Sequence, residues 1–199
     1  MLTRRGSLIL PLLLADCGGR GAPVYQPPHY DYLLQLQLDV ATIRIDQRFT
    51  PSGTPPDVSH FAPVQPVLAL RTMADDRLRA LGSVNEAVFV IQDASLVRQR
   101  DTISGTFVVE LDIYTAPEAR VGYAQATVSG TFTGDLDDLP MRLYNMTNDM
   151  MTRMNIEFEY QVRRSLGPWL LPAGASPTPV EQQPLTQTPP AEPPPEPTQ

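Results

Sequence analysis

The sequence contains no lysine: all 15 of its basic residues are arginine. A phosphate-binding loop of the GxxxxGKS or GxxxxGKT type is therefore excluded, as is any lysine Schiff base, including the one that holds pyridoxal phosphate. Arginine stays charged at all relevant pH and supplies no tunable base near neutrality. Histidine occurs only at His29 and His60, both inside proline-rich stretches, "QPPHYDY" and "PPDVSHFAP". A Ser–His–Asp triad needs its histidine on a rigid framework, and Ser59 beside His60 cannot converge on it as a neighbour. Neither GxSxG nor HExxH occurs. Cysteine occurs once, at Cys17, so an intrachain disulfide is impossible and a Cys/His zinc site has no ligand set. No catalytic residue is assigned, and no metal or cofactor is expected.

Charge is the next constraint. The net charge is −7 and the pI near 4.7, which lacks the basic footprint of a nucleic-acid binder. At 199 residues the chain suits one ordinary domain. No run after the first seventeen residues is long and apolar enough to span a bilayer.

What is present begins at the amino terminus. "MLTRRGSLILPLLLADC" has a positive start at Arg4 and Arg5, then an apolar stretch from Leu8 to Ala15, then the lone cysteine. This is the layout of a secretion signal, with an apolar core well short of a membrane span. "TRRGSLI" also fits a twin-arginine export signal loosely, with Ser7 where a large apolar residue is usual. Leu14-Ala15-Asp16-Cys17 resembles the lipobox of bacterial lipoproteins, in which the cysteine is acylated and becomes the mature amino terminus. It matches at Leu14, Ala15 and Cys17 and departs at Asp16, where that pattern has a small residue. The competing reading is a leftover cysteine in an uncleaved anchor or an ordinary signal. The resemblance implies lipidation at Cys17. It also implies retention at the periplasmic face of the outer membrane, because Gly18 stands where an inner-membrane lipoprotein carries aspartate. Each acyl chain contributes about 0.8 kcal/mol per buried methylene, so several chains hold a water-soluble domain at a bilayer without a spanning helix. Loss of residues 1–16 would leave a charge of about −8, so a polybasic patch takes no part in anchoring.

The expected organisation is a signal peptide over 1–16, a Gly- and Pro-rich lipidated tether over 17–32, an α+β domain over 33–169 and a tail over 170–199. In the tether, Tyr32 begins the fold and Tyr25 and Tyr30 are read as incidental. "YLLQLQLDVATIRIDQRF" alternates, then slips phase near Ala41, as a bulge or two abutting strands would. A proline-rich loop follows. Pro66 opens a helix with Val67, Leu70, Ala74, Leu78 and Leu81 on one face, predicted to end at Gly82 as its C-cap. Residues 86–97 read as a strand buried on both faces at its start. Residues 103–115 and 120–132 read as a strand and its return, and small residues in the latter imply a closely packed helix. The stretch after "DLDD" is ambiguous. Leu139, Leu143, Met146, Met150, Met154 and Phe158 keep helical spacing, whereas Ile156, Phe158, Tyr160 and Val162 alternate. One helix to about Leu166 is predicted, against a helix ending near Asn155 with an edge strand after it.

The acidic cluster Asp135, Asp137 and Asp138 reads as helix capping rather than a calcium loop, which would need its glycine and distal glutamate. Glu157 and Glu159 read as solvated side chains, the methionines Met141, Met146, Met150, Met151 and Met154 as core, and Arg163 and Arg164 as residues that suit a helix C-terminus. From Pro172 the tail is dense in proline and poor in apolar mass, and is expected to be disordered with polyproline II character, as a spacer or a docking ligand.

The element order β-α-β-β-β-α describes a largely antiparallel sheet of about four strands with two helices on one face. Behind a lipobox, this order resembles the lipopolysaccharide-assembly lipoproteins over residues 34–166. It is also similar to the amino-terminal domain of the Tol–Pal translocation protein and to auxiliary lipoproteins of intermembrane lipid transporters. The implied function is a non-catalytic, lipid-anchored accessory or assembly subunit of an envelope complex. Its implied partners are the membrane, through the lipid, and an envelope protein, with no nucleic acid. The alternative is a lipid or glycolipid carrier holding acyl chains between helix and sheet.

Overall fold

A computed structural model describes residues 23–115 and 119–172. Cys17, the signal segment, residues 116–118 and residues 173–199 lie outside them. The phase slip near Ala41 resolves as two strands, β1 (Leu36–Leu38) and β2 (Thr42–Gln47), which join different sheets. Leu36, Leu38 and Val40 are buried. The Ala41 N–H then donates to the Val84 carbonyl at 2.9 Å, and the chain re-phases so that Ile43 and Ile45 pack against the core.

Helix α1 (Pro66–Arg77) starts at its proline as predicted and buries Val67, Ala69, Leu70, Met73 and Ala74. It stops at Arg77, short of Gly82. Leu78 is already extended, at φ −95 and ψ 133, and opens β3 (Leu78–Ala80), which pairs in parallel with β1. Strand pairing overrides helical spacing here. Leu81 and Gly82 donate to the Leu38 and Val40 carbonyls at 3.0 and 2.9 Å, continuing the ladder. Arg79 donates to the Asp75 carbonyl at 2.6 Å, satisfying a carbonyl the shortened helix leaves free. Gly82 is thus no C-cap. It permits a close backbone approach, since a Cβ there would stand 2.6 Å from the Val40 nitrogen.

The main sheet has the order β2-β4-β5-β6, with β4 spanning Glu86–Gln99, β5 Thr102–Thr115 and β6 Ala119–Thr133. β2 runs parallel to β4, which requires the α1 crossover. β4–β5 and β5–β6 are antiparallel. A bulge between Ile91 and Asp93 re-phases β4, so that Phe89 and Ile91 before it and Ala94 and Leu96 after it all lie in the core.

Helix α2 (Leu139–Ser165) is continuous through the ambiguous stretch. Its N-cap is Asp138, whose Oδ1 accepts the Met141 N–H at 3.1 Å. Pro140 sits in the first turn, where its missing donor costs nothing. Leu143, Met150, Met154, Phe158 and Val162 are fully buried, whereas Ile156 and Tyr160 are 69% and 55% exposed. The apparent alternation of these four positions is therefore two (i, i+4) pairs on different helix faces. The cluster Met150, Met151 and Met154 is core, as expected. Met141 and Met146 are half-buried.

α2 lies across β6 and β5, where Ala124, Ala126 and Val128 admit it closely. The Phe89 and Phe158 rings meet edge to face at 5.5 Å. A Cβ on Gly105 would lie 2.6 Å from Met150 Sδ. This layer is close-packed at Gly105, and towards its edge a surface cavity of about 340 Å³ opens between α2 and β6, lined by Gly130, Phe132, Arg142, Met146 and Arg153. Tyr30, read from sequence as incidental, is a core residue, 5% exposed. Its N–H donates to Asp76 Oδ2 at 2.6 Å, and Tyr25 meets the Tyr144 ring at 5.1 Å.

Candidate functional site

The side chains singled out in the sequence are mostly engaged in holding the fold. Ser59 Oγ accepts the Leu96 N–H at 2.8 Å, so it anchors the loop to β4. Asp57 accepts from Ser52 N–H at 2.6 Å, Ser52 Oγ at 3.1 Å and Ser59 N–H at 2.8 Å. Burial pushes its carboxyl up, but these hydrogen bonds outweigh burial and hold it below its ordinary range. His60 lies on the Phe61 ring at 3.9 Å, and His29 stands edge-on to Tyr32. Asp135 accepts the Asp137 N–H in a turn before the cap. Among the described residues no His, Cys, Asp or Glu group is arranged to hold a metal. Glu157 bonds Gln161 at 2.7 Å.

Glu159 departs from the solvated reading. Its Oε2 accepts from Arg77 Nη2 at 2.5 Å and its Oε1 from Arg163 Nε at 2.9 Å. Arg77, in the last turn of α1, is 1% exposed. It also donates to the Leu34 carbonyl, the Asn155 carbonyl at 2.9 Å and Asn155 Oδ1 at 3.1 Å. One guanidinium thus ties α1, α2 and the approach to β1, and sequence reading missed it. A signal existed: Arg77 continues the apolar face of Leu70, Met73 and Ala74 at spacings of seven, four and three.

Two surface features are built around such groups. The first is a cleft of about 320 Å³ over Arg77 and Glu159, walled by Tyr30, Tyr32, Leu33, Thr152, Asn155 and Ile156. Its walls are largely apolar and its floor is an ion pair. The Tyr30 hydroxyl, buried at this site, has no hydrogen-bond partner among the described residues.

The second is the sheet face opposite the helices. Arg120 reaches Glu110 Oε1 at 2.9 Å and Asp112 Oδ1 at 3.1 Å, and its guanidinium lies 4.3 Å from the Tyr123 ring centre. Gln92 donates to Glu110 at 2.7 Å and Gln125 to Gln92 at 3.0 Å. Asp112 is 1% exposed. Burial, then the neighbouring Glu110 carboxyl, pushes its pKa up to about 6 against the pull of Arg120. An acid whose folded pKa is raised binds more protons folded than unfolded between about 4 and 6, so it makes stability fall as pH rises through that window. Asp112→Asn is expected to remove that decline. The difference in urea midpoint between pH 5 and pH 7.5 should shrink, and an unchanged difference would place the titration elsewhere.

No family model matches the chain, and no curated protein matches it. Among solved structures it is similar to a candidate lipoprotein from Caulobacter crescentus. That match has 14% identity and a TM-score of 0.37, and covers 63% of this chain and 85% of that one. It is also similar to a minor lipoprotein from Acinetobacter baumannii, at 10% identity and a TM-score of 0.30, over 60% of this chain and 93% of that one. Both likenesses are too loose to carry an argument about function.

Proposed function

We propose that this chain is a bacterial envelope lipoprotein, held by lipid on Cys17 at the periplasmic face of the outer membrane, where it acts as a non-catalytic accessory subunit. The observation that carries the reading is the sole cysteine of 199 residues standing directly after an apolar signal-like run, in Leu14-Ala15-Asp16-Cys17. No helix among the described residues is long and apolar enough to cross a membrane. Contact rather than chemistry is supported by the polar groups themselves, since Asp57, Ser59, Arg77, Asp138 and Glu159 are each tied into the fold.

The sheet face that the helices leave uncovered is the surface offered to the partner. Tyr123 and Val121 stand out from it at 55% and 47% exposure, and Arg120 and Tyr123 are of the types enriched where proteins meet. A photo-crosslinking amino acid at Tyr123 is expected to capture one envelope protein in cells. The same group at exposed Leu68, on the helical side, should not. The capture should be lost in the Cys17→Ser chain. Equal capture from both positions, or none from either, would contradict the reading.

A further inference from the structure

The cavity between α2 and β6 combines two kinds of surface. Met146, Phe132 and Gly130 make part of it apolar, while Arg142, Asn145 and Arg153 bring polar groups to its wall. Positions 142, 146, 149 and 153 of α2 follow at spacings of four and three, so they share one face of the helix. Arg142 meets the Phe132 ring, and Arg153, about three turns further along α2, donates to the Ser129 carbonyl at 2.8 Å. The cavity is thus a trough with an arginine towards each end.

The two arginines differ in what they already hold. Arg153 Nη2 pairs with Asp149 Oδ2 at 3.1 Å while its Nη1 bonds Ser129, so its charge is answered. Arg142 enters no ion pair among the described residues. Its guanidinium lies 5.2 Å from the Phe132 ring centre, and its buried Nε has no hydrogen-bond partner among the described residues. A charged donor buried without an acceptor is costly. An anion seated on Nε and Nη satisfies it in the forked geometry that arginine suits.

The apolar surface beside Arg142 says that the rest of the ligand is hydrocarbon. The volume, about 340 Å³, is at the small end for a small-molecule site, enough for an anionic group and the first part of a chain. Charge selects the anion. One unanswered cation matches the single charge of a carboxylate, whereas a phosphate monoester carries about −1.5 to −2 at pH 7. The surplus would fall near Asp149, on a chain whose net charge is already −7.

We propose that this trough binds a carboxylate carried on a hydrocarbon chain, as in a free fatty acid, with the carboxylate on Arg142 and the chain over Met146 and Gly130. The site is separate from the open sheet face and does not depend on the envelope-subunit reading.

The test titrates the full chain carrying Cys17→Ser with monomeric decanoate near neutral pH and follows the amide signals. Saturable shifts are expected at residues 130–132 and 142–149, with none at Glu110 or Tyr123 on the opposite face. Acetate keeps the anion and octyl glucoside keeps the chain; each is expected to bind about tenfold more weakly or worse. Arg142→Gln should weaken decanoate by about tenfold, the worth of one hydrogen bond to a charged group. Its urea midpoint should not fall, because the orphaned donor leaves with the side chain. Asp149→Asn, at a position 71% exposed, removes a neighbouring like charge and should tighten decanoate by about threefold. Shifts spread over both faces, or decanoate bound no better than acetate or octyl glucoside, overturn the proposal. So does tighter binding of decyl phosphate, or of a short peptide ending in leucine, because the trough then belongs to another ligand. Decanoate binding that survives Arg142→Gln, or that does not tighten in Asp149→Asn, overturns the placement of the anion.

Discussion

Arg77→Ala is expected to lower the free energy of unfolding by about 3–5 kcal/mol, the range for breaking a buried ion pair by removing one partner. The loss is large because one side chain satisfies four acceptors: the Leu34 carbonyl, the Asn155 carbonyl, Asn155 Oδ1 and Glu159 Oε2. Removal strands these groups and opens a cavity between α1 and α2. Glu159→Gln, which keeps an acceptor and removes only the charge, is expected to cost about 1–2 kcal/mol, in the range of one hydrogen bond to a charged group. Urea unfolding with an unchanged m-value would measure both, and equal costs for the two variants would contradict the central role of Arg77. The pair also gives a pH dependence of opposite sign to that of Asp112. Burial pushes Glu159 up, but the hydrogen bonds and charges of Arg163 and Arg77 hold its carboxyl below its ordinary 4.5. Its contribution is present above that value and is lost as pH falls through the folded one.

Gly82→Ala is expected to be nearly as damaging, at about 3 kcal/mol, for a steric reason. The added Cβ meets backbone, at 2.6 Å from both the Asp39 carbonyl carbon and the Val40 nitrogen. Relief requires parting β1 from β3 and loses the hydrogen bonds from Leu81 and Gly82 to Leu38 and Val40. Gly105→Ala is the control. Its Cβ meets Met150 Sδ at 2.6 Å, the flexible end of an unbranched side chain, so about 1 kcal/mol is expected. The reverse order, read from thermal or urea midpoints, would contradict the packing described here.

The difference between those two glycines shows how far the sequence could be read. The strands and helices were legible wherever one apolar period ran unbroken, as in β5 and through α2, where the absence of an interrupting proline or glycine decided helix over strand. α1 was legible at its start and not at its end. Leu78 and Leu81 keep helical spacing, and only the partner strand Leu36–Leu38, some forty residues earlier, makes β3 the better use of them. The same non-local dependence hid Arg77 and Tyr30. A buried arginine is recognisable only when its acceptors are in place, and those come from Leu34, Asn155 and Glu159. The stripe formed by Ile156 and Tyr160 was visible as apolar residues, but their exposure depends on which helix face the sheet takes. The candidate lipid site, by contrast, rests wholly on local sequence, on Cys17 and the residues before it.

Growth of cells expressing the chain with an alkyne analogue of palmitate, followed by capture of the labelled protein, tests that site most directly. The account expects label on the native chain, none on Cys17→Ser, and a shift of the variant from the sedimenting envelope to the soluble fraction. Label absent from the native chain, or a Cys17→Ser protein that sediments with the envelope as firmly as the native one, would contradict it.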